Sequence, residues 1–182
     1  WIVSRMDKNG RLITPVKNAW GKAGMCSELV HLYCLSPLYE AADLFDISEY
    51  KAAADHILTY YKEYHYEEIM NFGCLSHFYA YIMEALLDIG EIQLAKEAMD
   101  KIAALQKEDG SVPAYKDVNW VCSTGLFQFV FVWYRLGDVE RGNKAFHYAC
   151  NLQNETGGWF GSYLSEDSMQ QYNEKKKNDG CL

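Results

Sequence analysis

Two long stretches of this chain match each other at an offset of 47 residues, and that recurrence limits what it can fold into. Asp88-Ile89-Gly90-Glu91 leads through an amphipathic stretch to Leu105-Gln106-Lys107-Glu108-Asp109-Gly110. Arg135-Leu136-Gly137-Asp138 leads through another to Leu152-Gln153-Asn154-Glu155-Thr156-Gly157. Gly90 to Gly137 is 47 positions, and so is Gln106 to Gln153. Asp46-Ile47-Ser48-Glu49 reads as an earlier copy, 42 positions before Asp88. Asn9-Gly10 reads as the tail of a further one. A period of this length is the mark of stacked supersecondary units, each burying its apolar face on its neighbours.

Each unit reads as two helices. Ile92, Ala95, Met99, Ile102 and Ala103 recur at helical spacing, with Gln93, Lys96, Glu97, Asp100 and Lys101 on the other face. That pattern predicts an outer helix with one side in water. Residues 121–136 are apolar all round and predict a buried inner helix. Their Phe, Val, Trp and Tyr also favour strand, but the length favours helix. Residues 72–89 share the inner character. Ser36-Pro37 predicts a helix start, with Ser as N-cap and Pro at the first helical position, and places helices near 36–46 and 49–65. The order inner, outer, inner, outer predicts an all-α chain of helical hairpins, an α/α toroid or an open part of one. Six such hairpins would need roughly 270 residues at this period, and this chain has 182. The expected division is a partial toroid over 1–172 and a solvated Lys-bearing tail over 173–182. An open ring leaves inner-helix surface unpaired, so self-association or a missing part of the same chain is expected.

Charge and cysteine usage narrow the partners. Seventeen Lys and Arg face 25 Asp and Glu, a net charge of −8. No basic stripe for nucleic acid follows from that balance. The longest apolar run, 126–134, is short of the ~20 residues of a membrane span. The six cysteines sit mostly in apolar helical text and read as reduced, buried thiols of a cytoplasmic protein. Cys26, Cys74 and Cys122 are each 48 apart, a spacing that suggests zinc. They fall at unequal distances from the turn motifs, however, and no Cys-x-x-Cys or His-Glu-x-x-His supports a metal. No cofactor is expected.

Gln153-x-x-x-Gly157-x-Trp159 resembles the Gln/Trp repeat of terpenoid cyclases and of the prenyltransferase and squalene-oxidase repeat group, with Gln106-x-x-x-Gly110-x-Val112 a degraded copy. The acidic boxes of those enzymes are absent. Cys74 to Tyr81, Leu86 to Gly90, Trp120 to Gln128 and Gly157 to Tyr163 resemble helical toroid modules of bacterial capsule and polysaccharide proteins. That resemblance implies an α/α toroid that binds or processes polysaccharide or uronate-type sugars within a larger protein. A prenyl or terpenoid toroid enzyme and a non-catalytic interaction scaffold are the alternatives.

Candidate site residues follow from residue type and rim position. His77 and Tyr81, one helical turn apart, share a face at the start of an inner helix. There the positive dipole end favours anions and His can move a proton near neutral pH. Asp117, Asn119 and Trp120 precede the next inner helix, and Trp159 and Tyr163 lie in the following loop. Aromatic faces suit sugar rings, and amide or carboxylate groups suit hydroxyls. His77, Tyr81 and Asp117 are the candidate catalytic groups; Asn119, Trp120, Trp159 and Tyr163 are the candidate ligand contacts.

Overall fold

The computed structural model describes residues 1–14 and 27–164. Cys26, Cys181 and the 173–182 tail lie outside the described residues. Helices dominate: α1 Leu35–Phe45, α2 Ser48–Tyr64, the single turn α3 Tyr66–Ile69, α4 Ser76–Asp88, α5 Ile92–Ala103, α6 Ser123–Arg135 and α7 Val139–Asn151. Short 3-10 helices span Val3–Arg5 and Glu28–Cys34. Two three-residue strands, β1 Trp120–Cys122 and β2 Ser162–Leu164, pair antiparallel with Trp120 opposite Leu164.

Three helices pack on the helix that follows them, α1 on α2, α4 on α5 and α6 on α7. The centre is α4, which also packs on α6 and on the Glu28–Cys34 helix. Its direction relative to α6 follows from two contacts. Gly125 of α6 lies against Ser76 and His77 at one end, and Arg135 pairs with Asp88 at the other, so the two helices run the same way. The core between them holds Tyr79, Ile82, Met83 and Leu86 of α4 with Leu126, Phe129 and Trp133 of α6, all nearly inaccessible to solvent. α4 and α6 begin 47 residues apart, as do α5 and α7, which matches the sequence period.

The inner helices end in one way. The backbone N–H groups of Ile47, Glu91 and Asp138 donate to the carbonyls of Ala42, Leu86 and Trp133, five residues back. The preceding residue is left-handed each time: Asp46 at φ 54, Gly90 at φ 83 and Gly137 at φ 80. This is the Schellman closure, whose left-handed position glycine fills without a Cβ penalty. Asp46 therefore stands where Gly90 stands, 44 positions away, and not level with Asp88 at 42 as the sequence match suggests.

Three further expectations need correction. α1 begins at Leu35 and continues out of the 3-10 helix, so Ser36 is not an N-cap; its hydroxyl donates to Glu40. Ser27 caps the 3-10 helix instead, accepting from the Leu29 N–H. Pro37 is tolerated because it falls in the first turn of α1, where a residue without an N–H is best accommodated. The helix expected from 121 begins at Ser123, because Trp120–Cys122 pair as a strand. Finally, α6 is not dry all round: Phe131 and Tyr134 are exposed.

Candidate functional site

α4 and α6 each send four side chains to one accessible face at helical spacing. From α4 these are His77, Tyr81, Glu84 and Asp88; from α6 they are Thr124, Gln128, Phe131 and Arg135. The paired directions of the helices set the two rows side by side. His77 Nδ1 and Gln128 Oε1 lie 2.6 Å apart. An amide oxygen only accepts, so Nδ1 donates in this contact and Nε2 is the ring nitrogen that faces a ligand. The Tyr81 ring meets His77 edge-on at 4.7 Å and Tyr33, from the Glu28–Cys34 helix, at 5.3 Å. The Tyr33 hydroxyl donates to Glu84 Oε1 at 3.3 Å. Asp88 is engaged by Arg135, whose guanidinium also lies 5.5 Å from the Phe131 ring centre.

This strip can hold a ligand by stacking and hydrogen bonding. Tyr33, Tyr81 and Phe131 offer aromatic surface; Gln128, His77 and Glu84 offer a donor amide, an acceptor nitrogen and a carboxylate. Glycoside cleavage by paired carboxylates needs two free ones at a set separation. Here Asp88 is neutralised by Arg135, and Glu84 alone faces outward.

Of the other sequence-predicted residues, Trp159 borders the strip, lining one hollow with Glu84, Gln128 and Phe131, and the rest lie elsewhere. Asp117 and Asn119 are exposed on the connection before β1. Trp120 is half-buried in β1, with its ring 5.8 Å from that of Tyr115. The Trp159 indole N–H donates to the Ala149 carbonyl at 2.7 Å, and its ring meets Phe127 edge-on at 5.2 Å. The Tyr163 hydroxyl donates to the Leu152 carbonyl and accepts from the Phe160 N–H. Trp159 and Tyr163 thus tie their loop to the end of α7. His77 and Tyr81 come together as expected. Gln128, Tyr33 and Glu84 were missed, although Gln128 lies one 47-residue period beyond Tyr81.

A second polar cluster fixes the N-terminal segment to α2. Arg11 grips Glu28 through two hydrogen bonds of 2.7 and 2.6 Å. The fully buried Tyr61 donates to Glu28 Oε1 at 3.2 Å. His31 Nδ1 lies 2.9 Å from the Tyr61 oxygen, and its Nε2 3.3 Å from the Thr14 hydroxyl. Burial works to raise the Glu28 carboxyl, but the Arg11 guanidinium and Tyr61 hydroxyl outweigh it and hold it below its ordinary range. Burial lowers the His31 imidazole from its ordinary 6.5 and raises the Tyr61 phenol, which Glu28 raises further.

Both lowered groups act in the same direction with pH. A group whose pKa is depressed on folding contributes stability above its unfolded value and loses it as pH falls through the folded one. His31 should begin to weaken the fold below about pH 6.5 and Glu28 below about 4.5, their unfolded values. Urea unfolding from pH 7 to 3.5 should therefore show falling midpoints. Glu28→Gln should flatten the lower part of that slope; an unchanged slope would remove Glu28 from the account.

Among the described residues no group of His, Cys, Asp and Glu is arranged to hold a metal. Cys34, Cys122 and Cys150 are free thiols. No helix among the described residues is long and apolar enough to cross a membrane. No family model, curated protein or solved structure matches the chain.

Proposed function

We propose that this chain is a helical-hairpin module of the α/α-toroid kind that holds a carbohydrate chain along the face shared by α4 and α6. One observation carries the reading: His77 and Gln128 in contact at 2.6 Å, flanked by the Tyr81 and Tyr33 rings. Sugars are bound by stacking of their C–H faces on aromatic rings and by convergent donors and acceptors for hydroxyls. This strip supplies both. A neutral sugar fits it better than a uronate, because the Glu84 carboxylate faces the same side. Its role there is binding, with His77 Nε2 as an acceptor. Asn119, Trp120 and Asp117 would serve a ligand long enough to reach the connection before β1.

The second reading is an interaction scaffold, and it is favoured by the exposed aromatic edge at Phe131, Phe146, Trp159 and Phe160.

Calorimetric titration of the whole chain with neutral and uronate oligosaccharides tests the first reading. Binding of a neutral oligosaccharide is expected, weakened about tenfold or more by Tyr81→Ala, since one lost stacking contact of ~1–1.5 kcal/mol is about a factor of ten. His77→Gln should weaken it less. An absence of binding to any sugar at millimolar concentration, with the chain folded, would remove the carbohydrate reading.

A further inference from the structure

A single turn geometry occurs three times in the described residues, and only two of its copies are covered. In residues 7–11, 107–111 and 154–158 the first N–H donates to the fifth carbonyl and the fourth N–H to the first. The fourth residue is a left-handed glycine each time: Gly10, Gly110 and Gly157. A Cβ on Gly10 would strike the His56 carbonyl of α2, and one on Gly110 would strike the Lys144 carbonyl of α7. The residue after the turn is then sealed, with Leu12 4% and Val112 1% exposed. Gln106 Nε2 donates to Gly110 O at 3.3 Å within its turn and to Arg141 O of α7 at 3.1 Å, joining the turn to the helix that covers it.

The third copy has the same inner parts and no cover among the described residues. Gln153 Nε2 donates to Gly157 O at 2.6 Å, but only the Gln153 side chain approaches Gly157. Trp159, in the place of Leu12 and Val112, is 38% exposed. Beside it a hollow of about 570 Å³ opens on the α4–α6 face, lined by Glu84 of α4, by Thr124, Gln128 and Phe131 of α6, and by Trp159.

We infer that this edge is an interface for a further helical hairpin. Its second helix crosses the Gly157 turn as α7 crosses the Gly110 turn, and its first helix packs along the flank of α6 away from α4, leaving the α4–α6 face open. The contact continues the α4–α6 interface by one more helix. It demands a backbone carbonyl near the start of the second helix to accept from Gln153 Nε2, and bare backbone about one turn further on to meet Gly157. Among the described residues a second copy of this chain does not present such a face. Its α2 and α7 already carry their own turns, and its α5 is joined to the end of α3 through Lys101 and the Met70 carbonyl. In both covered copies the covering helix follows its turn in the chain, so the occupant is a hairpin joined after Leu164.

The test compares the full 182-residue chain with a version in which residues 118–164 are repeated directly after Leu164. Hydrogen exchange across 152–161 should slow at least tenfold in the extended chain, and Gln153→Leu should reverse a large part of that gain. Unchanged exchange overturns the inference. So does an added segment that contributes no helical circular dichroism, since the edge then fails to organise the unit it is inferred to receive. A third outcome also overturns it: slow exchange at 152–161 in the original chain that becomes fast on truncation after Leu164, which would make residues 165–182 the cover.

Discussion

Gly110→Ala should lower stability by about 3–5 kcal/mol, while the same change at Gly157 should cost only about 1 kcal/mol. Both glycines are left-handed, at φ 93 and φ 84, so the conformational penalty of a Cβ is common to both. The difference is what the Cβ meets. At Gly110 it enters the Lys144 carbonyl and the Ala145 N–H of α7, which are backbone and can yield only if the helix moves off. At Gly157 it meets no backbone within 4 Å among the described residues. Urea unfolding of the two variants checks this directly, and equal losses would show that strain within the turn, not the close approach of α7, governs both sites.

Gly125→Ala is expected to cost about 3 kcal/mol, lowering the melting temperature by about 9 °C in a chain of this size. A Cβ there would drive into the Ser76 hydroxyl, the His77 N–H and the Ser76 carbonyl carbon. Ser76 Oγ is buried with no hydrogen-bond partner among the described residues, so Ser76→Ala alone should stabilise by about 1 kcal/mol. Combined with Gly125→Ala it relieves only the first of the three contacts, and the double variant should stay below the parent. The functional consequence is larger than the thermal one. His77 and Gln128 meet because Gly125 lets α4 and α6 approach, and separating the helices by even ~1 Å would break a 2.6 Å contact beyond hydrogen-bond reach. A double variant as stable as Ser76→Ala would show that the helices are not held at their limit.

Local patterns were legible and distant pairings were not. The apolar spacing of Ile92, Ala95, Met99 and Ile102 located α5 because amphipathic period is written within the helix itself. The 47-residue offset aligned α4 with α6 for the same reason. The strand at Trp120–Cys122 was not legible, since its partner Ser162–Leu164 lies 40 residues away and three residues carry no alternation. Phe131 and Tyr134 read as buried because hydrophobicity does not tell which neighbour is present; Phe131 instead lines the open hollow that Glu84 and Gln128 also line. The Arg11, Glu28, His31 and Tyr61 cluster draws on three separate segments, and no spacing rule joins them. In the candidate site, His77 and Tyr81 were visible as neighbours on one helical face. Gln128 became their partner only once the parallel course of the two helices was fixed.

The central place of α4 has a consequence for how the molecule comes apart. Among the described residues α4 is held on both flanks, by the Glu28–Cys34 helix and by α6, whereas the α6–α7 pair is held on one. A stack in which each pair leans on its neighbours loses its ends first. Under mild denaturant or a protease, the chain should fray inward from Asn151 toward Ser123 while α4 stays shut, leaving a shorter folded remnant. Half of the candidate site, the row on α6, would disappear in that opening, and a bound ligand spanning both rows would act as the clasp that slows it.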